Sequence, residues 1–153
     1  MKQIDRIDRK ILRAIQDDGR LTNLQLAEKV SLSPTATAER LKRLTRDGYI
    51  LGYSAQLSPE MLGRGMLVFV QVKLDKTTPD VFDSFAAAIR RSDQVMECHM
   101  VAGGFDYLVK ARVQGMETYR AFLSDVILSL PGVRETHTYA VMEEVKNTDK
   151  LPV

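Results

Sequence analysis

Two helix start signals eleven positions apart constrain the fold of this chain more than any other feature. Thr22-Asn23-Leu24-Gln25 is a capping box, in which the threonine and glutamine side chains satisfy backbone N–H groups at a helix start. Ser33-Pro34 begins a second helix, with serine as N-cap and proline at the first helical position. The first of these helices must therefore end at Ser31-Leu32-Ser33. Two short helices across such a turn are typical of a helix-turn-helix unit.

A preceding apolar stripe predicts a supporting helix. Ile7, Ile11, Leu12 and Ile15 recur with helical spacing, and Gly19 follows as a stop. The inward faces of the next two helices are predicted to carry Leu24, Leu26, Ala27 and Val30, and then Ala38, Leu41 and Leu44. The outer face of the third helix is predicted to carry Thr35, Thr37, Arg40, Lys42, Arg43 and Arg46.

An alternating segment follows Gly48, which ends the third helix. Leu51, Tyr53, Ala55 and Leu57 share one side of residues 50–57, as expected for a wing strand. We therefore predict that residues 1–57 form a winged helix-turn-helix domain.

The charge of this first domain favours a nucleic-acid partner. Residues 1–57 carry 11 Lys/Arg against 7 Asp/Glu, whereas the remainder carries 11 against 13. Small hydroxyl residues at the start of the third helix can approach base edges, and arginines further along can neutralise phosphates or bind a guanine edge. The alternative is a plain three-helix bundle whose basic face is only solvated.

The helical pattern stops at residues 58–65, which contain one proline and two glycines, and we predict a hinge there. Beyond it, strands are predicted at Met66 to Leu74, Gln94 to Ala102, Phe105 to Val113 and Val133 to Val145, the middle two joined by a hairpin at Gly103-Gly104. Helices are predicted from Thr78-Pro79 and from Met116 to Leu130, the latter stopped by Pro131-Gly132. The order β-α-β-β-α-β is that of a ferredoxin-like domain, and the fold class is therefore α+β. We place this domain at residues 66–146, followed by a tail at 147–153.

Several of these strands are apolar on both faces. In the first strand Leu67 and Phe69 oppose Val68 and Val70, and in the second Met96, Cys98 and Met100 oppose Val95 and Val101. A sheet with two apolar faces needs cover on both, yet its two helices cover only one. We therefore predict a two-fold homodimer in which a second copy covers the other face.

Composition excludes several other classes. No apolar run is long enough for a membrane span, and the first fifteen residues lack the apolar region of a secretory signal. Cys98 is the single cysteine, which excludes intrachain disulfides and Cys-rich zinc sites and fits a reducing, cytoplasmic setting. Glu97, His99 and His137 form a conceivable metal cluster, but subunit contacts are the commoner role of such residues, so we predict no metal site. Glu143-Glu144 lacks a nucleophile or phosphate loop, so we predict no catalytic residues.

The motifs together resemble a known family. IDRIDRKIL, GRLTNLQLAEKVSLSPT, ERLKRL and DGYILGY resemble the N-terminal domain of the Lrp/AsnC (leucine-responsive, or feast/famine) transcription regulators. VMECHMVAGGFDYLVKARV and LPGVRETHTYAVMEEVK resemble the ligand-sensing ferredoxin-like domain of that family. The resemblance runs from about Ile4 to Lys146. Two positions depart from common family patterns: relatives often read SPTPC at residues 33–37, and they often carry an acidic residue where this chain has Gly104.

The resemblance implies a bacterial or archaeal, cytoplasmic and nucleoid-associated regulator that binds double-stranded DNA and controls amino-acid metabolism genes. It implies homodimers that assemble into octamers or other higher oligomers, with a free amino acid bound between dimers and no other cofactor. The DNA-binding residues implied or predicted are Asn23, Ser31, Ser33, Thr35, Ala36, Thr37, Arg40, Lys42 and Arg43. The effector-binding residues implied or predicted are Met100, Gly103, Gly104, Phe105, Asp106, Tyr107, Met116, Tyr139, Ala140 and Val141.

The chemistry of the second set suits an amino acid. Gly103-Gly104 can offer backbone N–H groups to a carboxylate, Asp106 can face an ammonium, and Met100, Tyr139 and Val141 can supply an apolar wall. Such a wall favours leucine or a similar apolar side chain. The alternatives are a hairpin whose glycines are only structural, a solvated charge at Asp106, and a ferredoxin-like binding protein or enzyme whose helical domain binds no DNA.

Overall fold

The computed structural model describes residues 3–153 and divides the chain into two compact units. One unit contains the residues up to Gln56 together with Lys146–Val153, and the other is Leu57–Val145. The chain therefore crosses between the units twice. No helix within residues 3–153 is long and apolar enough to cross a membrane.

Three helices form the first unit: α1 (Arg6–Asp17), α2 (Asn23–Val30) and α3 (Pro34–Arg46). Each helix begins directly after a residue whose side chain caps it. Thr22 and Gln25 form the predicted capping box, and the hydroxyl of Ser33 accepts from the Ala36 N–H. The α1 start is a second capping box, between Asp5 and Asp8. The helices enclose a small core of Ile11, Leu12, Leu26, Val30, Leu44 and Ile50.

The last eight residues, Lys146–Val153, return to α1. The Gln16 side-chain amide both donates to the Leu151 carbonyl and accepts from the Leu151 N–H. Lys150 pairs with Asp17 at 2.8 Å, and Val153 packs against the core. The segment predicted as a tail is thus part of the helical unit.

Two local predictions for this unit are wrong. Residues 50–57 form no strand, and Leu51 is 96% exposed. Residues 3–56, which include most of this segment, contain no other strand with which it could pair. Leu24 lies on the exposed surface of α2, whereas Leu26, Ala27 and Val30 are buried.

The second unit is a four-stranded antiparallel sheet with helices on one face. Its elements are β1 (Met66–Leu74), α4 (Pro79–Ile89), β2 (Val95–Met100), β3 (Tyr107–Val113), α5 (Met116–Phe122) and β4 (Val133–Ala140). The strands lie in the sheet in the order β2-β3-β1-β4, and the succession β-α-β-β-α-β along the chain is the one predicted. After α5 the helix continues as a π-helical turn at Leu123–Ile127.

Strand register decides which face each residue occupies. Val68, Val70 and Val72 of β1 join Val109 and Ala111 of β3 in a core that also contains Phe85 of α4 and Phe122 of α5. Leu67, Phe69 and Gln71 point to the other, helix-free face, where β4 contributes His137 and Tyr139. In β2 a register shift lies between Val95 and Glu97. Cys98 packs on the core, whereas Met96 and Met100 are exposed.

Three predicted boundaries in this unit are wrong. β2 ends at Met100 and β3 begins at Tyr107, so a six-residue loop replaces the predicted two-residue hairpin. β4 ends at Ala140 rather than Val145. The predicted stop at Gly132 is present: its φ is +74°, and an added Cβ would lie 2.7 Å from a methyl carbon of Val81.

Candidate nucleic-acid interface and effector loop

The helix-turn-helix is closed by a short, well-defined turn. α2 ends at Val30 and α3 begins at Pro34. Ser31 occupies the left-handed region, with φ of 58°, and its N–H closes the end of α2. The Asn23 side-chain amide then donates to the Pro34 carbonyl at 2.8 Å and joins the first residues of the two helices.

The predicted DNA-binding residues fall into three classes of exposure. Asn23, Ser31, Ser33, Thr35 and Lys42 are exposed, Ala36, Arg40 and Arg43 are half-buried, and Thr37 is buried. The exposed hydroxyls of Thr35 and Ser33 lie at the N-terminal end of α3, although the Ser33 hydroxyl already serves as the helix cap. The side chains free for a ligand are therefore fewer than the sequence pattern indicates.

Thr37 and Ala38 exchange the positions expected for them. Thr37 is fully buried and its hydroxyl donates to the Ser33 carbonyl at 3.0 Å, whereas Ala38 is exposed. The inward stripe of α3 is Thr37, Leu41 and Leu44, which differs from the predicted stripe only in that Thr37 takes the place of Ala38. Because its hydroxyl is bonded to the backbone of its own helix, Thr37 can occupy a core position like an apolar residue. The sequence pattern treated it as polar and therefore placed it on the outer face.

Arg40 and Arg43 do not face away from the helical core as predicted. Arg40 Nη1 donates to Asp5 Oδ2 at 2.7 Å and to Asp8 Oδ1 at 2.8 Å, and Arg43 Nη2 donates to Asp8 Oδ2 at 2.5 Å. These four residues, here called the arginine cluster, join α1 to α3. The backbone N–H of Asp8 and the Arg40 guanidinium lower the pKa of the Asp5 carboxyl to about 2.

The sequence carries a signal for the arginine cluster that the motif search missed. Asp8 lies within the apolar stripe formed by Ile4, Ile7 and Ile11, and it is only 1% exposed. A carboxylate buried in such a stripe needs a cation or hydrogen-bond donors, and Arg40 and Arg43 of α3 supply them here.

A basic groove runs along α3 beside the cluster. It has a volume of about 410 Å³ and is lined by Glu39, Arg40, Lys42, Arg43 and Arg46. Lys42 is exposed and forms no ion pair within residues 3–153. An anion such as a phosphodiester would meet four cations and one carboxylate there.

The loop from Val101 to Asp106 contains the two glycines of the predicted effector site. An added Cβ at Gly103 or Gly104 would meet nothing within 4 Å, and neither residue has a positive φ. Within residues 3–153 no partner accepts a hydrogen bond from the backbone N–H groups of Gly103, Gly104 or Phe105. Conformation and packing therefore do not explain the glycine pair.

Asp106 anchors this loop to the sheet. Its carboxylate Oδ2 accepts from the Leu74 N–H at 2.7 Å, and its own N–H donates to the Val72 carbonyl. It is half-buried rather than a solvated charge, and its second carboxylate oxygen accepts no hydrogen bond from residues 3–153.

The ten predicted effector residues lie at two ends of the sheet. Met100 pairs with Tyr107 beside the glycine loop, at the Leu74 end of β1. Tyr139 and Ala140 pair with Phe69 and Val68 near the start of β1, Val141 donates to the Leu67 carbonyl, and Met116 follows β3 at that same end. The six residue-to-residue steps from Val68 to Leu74 span about 20 Å. One chain therefore does not bring all ten residues together.

The other polar residues singled out in the sequence form pairs. Glu97 accepts from Lys110 and contacts His99 on β2, whereas His137 contacts Glu135 on β4 at the opposite edge of the sheet. Glu144 accepts from the buried guanidinium of Arg112. Burial raises the pKa of the Cys98 thiol to about 11.

Comparisons with known proteins agree with this geometry. Residues 67–151 match the family model described as the Lrp/AsnC ligand binding domain, and residues 4–50 match one described as winged helix-turn-helix DNA-binding. The chain is 49% identical to the leucine-responsive regulatory proteins of Salmonella typhimurium and Escherichia coli K12, over 99% of this chain and 93% of each relative.

Solved structures show the same likeness. A transcriptional regulator from Neisseria meningitidis, in complex with L-Met, has a TM-score of 0.93 and 38% identity, over 98% of this chain and 97% of that chain. An AsnC family transcriptional regulator from Agrobacterium tumefaciens has a TM-score of 0.93 and 32% identity, over 97% of both chains. With a DNA-binding helix-turn-helix joined to an effector domain of this kind, the chain belongs to the Lrp/AsnC family of transcriptional regulators.

Proposed function

We propose that this protein binds duplex DNA sequence-specifically at amino-acid metabolism genes, and that leucine or a similar apolar amino acid modulates it. The observation that carries the proposal is the loop at Gly103-Gly104, whose backbone N–H groups are unpaired and unobstructed in a domain of the family's ligand-binding type. The groove along α3 supplies the complementary DNA-binding surface.

Base readout is assigned to the start of α3 and to the turn before it. Thr35 and Ser31 are exposed there, and small hydroxyl side chains let a helix approach base edges closely. Lys42 and the half-buried arginines lie further along and face phosphates. Thr37 is no longer assigned a DNA contact, because its side chain is buried.

The effector is assigned to the glycine loop. A ligand carboxylate accepts hydrogen bonds from the open N–H groups of Gly103, Gly104 and Phe105, and its ammonium faces the second carboxylate oxygen of Asp106. Met100, which is 59% exposed, supplies apolar surface next to it. The relatives support an apolar side chain, since two are named leucine-responsive and one was solved with L-Met.

The rest of the apolar wall is assigned to a second chain. Met116, Tyr139, Ala140 and Val141 lie about 20 Å along the sheet from the loop, so they complete a pocket only when another copy presents them. This supports an effector site between dimers in an octamer or another closed oligomer. The helix-free sheet face, with Leu67, Phe69 and Leu108, is assigned to the dimer contact.

We assign no catalytic role, metal or further cofactor, and we place the protein in the cytoplasm, associated with the nucleoid. The enzyme alternative gains no support from residues 3–153. Glu144, the strongest acid–base candidate near the end of β4, is the partner of Arg112.

Two measurements test the proposal together. A labelled duplex selected by this protein from a random pool should bind with an affinity that falls steeply with salt, because bound cations release counterions from DNA. Calorimetric titration of the twenty amino acids should then give selective binding of leucine or methionine, and that amino acid should change the DNA affinity. Absence of duplex binding contradicts the DNA assignment, and selective binding of lysine or glutamate contradicts the apolar wall.

A further inference from the structure

The arginine cluster contains the buried carboxylate of Asp8, which lies on α1 and pairs with α3. Asp8 is 1% exposed, and its two oxygens accept from Arg40, from Arg43 and from the Asp5 N–H. Burial of ions costs about as much as their pairing returns, so a buried ion pair is weak evidence of stabilisation. A role in orientation explains the arrangement better.

Both arginines keep donors for a further partner. A guanidinium has five N–H groups. Arg40 uses Nη1 alone, for Asp5 and Asp8, and Arg43 uses Nη2 alone. Their side chains are 27% and 40% exposed, and both line the basic groove beside Lys42.

We propose that Asp8 is a positioning residue for DNA binding, which holds the Arg40 and Arg43 guanidinium groups so that their remaining N–H groups clamp a backbone phosphate in the groove. This inference rests on the proposed DNA-binding function and deepens it. A free arginine loses rotamer freedom when it binds phosphate, whereas an arginine already tied to a carboxylate has lost it on folding. The planar guanidinium can serve a carboxylate on one edge and a phosphate on another in fixed geometry, whereas a lysine ammonium is a point charge on a flexible stem.

For the effect of Asp8→Asn on DNA affinity, the inference and simple electrostatics predict opposite signs. Asp8→Asn removes a negative charge from beside the DNA-binding surface, so Coulomb attraction alone predicts equal or tighter binding. If Asp8 positions Arg40 and Arg43, the same substitution frees both side chains and should weaken DNA binding. Glu39→Gln is the matched control, because Glu39 lines the same groove, is exposed, and forms no ion pair within residues 3–153.

The test uses the full chain and the selected duplex, with fluorescence anisotropy measured over a series of salt concentrations. We expect Asp8→Asn to raise Kd on the order of 10-fold, with an unchanged slope of log K against log salt, because no cation is lost. Glu39→Gln removes a negative charge from the groove without loosening an arginine, so it should lower Kd. If the unmodified chain binds no duplex, the proposed function fails. If that chain binds and Asp8→Asn binds equally or more tightly, the inference alone is overturned.

Circular dichroism at the assay temperature establishes whether Asp8→Asn is folded. If it is not, Arg40→Lys tests the same inference. This variant keeps the charge but replaces the rigid planar fork by a flexible ammonium, which does not hold Asp8 and a phosphate in fixed geometry. We expect a Kd on the order of 10-fold higher with the slope unchanged. Lys42→Gln, by contrast, should reduce the slope by about one phosphate contact. A folded Arg40→Lys variant that binds as tightly as the unmodified chain overturns the clamp.

Discussion

Asp106 has two tasks that a pair of substitutions can separate. One carboxylate oxygen accepts from the Leu74 N–H at 2.7 Å, and the other is assigned to the effector ammonium. Asp106→Ala removes both acceptors. The Leu74 N–H lies at a residue that is only 3% exposed, and leaving such a donor unpaired costs about 1–3 kcal/mol of unfolding free energy. Asp106→Asn keeps an amide oxygen for Leu74 and removes only the charge, so it should leave the unfolding free energy nearly unchanged.

Effector affinity should respond to both variants. Truncating one partner of a buried charge pair costs roughly 2–5 kcal/mol, which corresponds to a Kd higher by about 30-fold or more for Asp106→Ala. Asp106→Asn should weaken binding by about 10-fold, because a neutral acceptor is a poorer partner for an ammonium. DNA affinity without effector should survive, since Asp106 belongs to the other unit.

The assay combines leucine calorimetry with urea unfolding of each variant. Asp75→Asn is the control, as it removes an exposed charge from the residue that follows Leu74. If Asp106→Asn binds leucine as tightly as the unmodified chain, the ammonium contact is refuted. If Asp106→Ala unfolds at the same urea concentration as the unmodified chain, the role assigned to the Leu74 hydrogen bond is refuted.

Four further outcomes follow from the structure. Ser31→Gly should raise the unfolding free energy by about 0.5–1 kcal/mol in urea titrations, because Ser31 has φ of 58°; a loss of stability contradicts this. Folding lowers the pKa of Asp5 to about 2, so its stabilising charge is fully present above pH 4 and is lost as pH falls toward 2. Asp5→Asn should therefore be less stable than the unmodified chain at pH 6, and the two should converge near pH 2. Cys98 should react with a thiol reagent at pH 8 far more slowly than free cysteine, because its pKa is raised to about 11. Phe69→Lys, on the helix-free sheet face, should convert dimers to monomers in light scattering at micromolar concentration; a dimer of unchanged mass removes that face from the interface.

Local sequence chemistry determined the helix starts and the succession of strands and helices along the chain. The Thr22 and Ser33 side chains accept hydrogen bonds from N–H groups three residues further on, and Pro34 occupies the first helical position. Capping of this kind depends on local sequence and needs no tertiary contact. Alternation in β1 likewise separated Val68 and Val70 from Leu67 and Phe69, because successive side chains of a strand point to opposite faces. The family resemblance was visible for the same reason, since its motifs are these local signals.

Tertiary packing decided the rotation of α3 and the partners of its charges. Neighbouring helical residues point about 100° apart, so a small rotation of the helix exchanges Thr37 for Ala38 at the core and turns Arg40 and Arg43 toward Asp8. Those partners are 32 and 35 positions away in the sequence, beyond the reach of any local periodicity. The strand expected at residues 50–57 has no partner within its unit, and Lys146–Val153 packs on α1, because pairing and docking depend on which surfaces meet in space. The residues proposed to touch a ligand therefore come from motifs in the sequence, whereas the contacts that hold them in place depend on the folded chain.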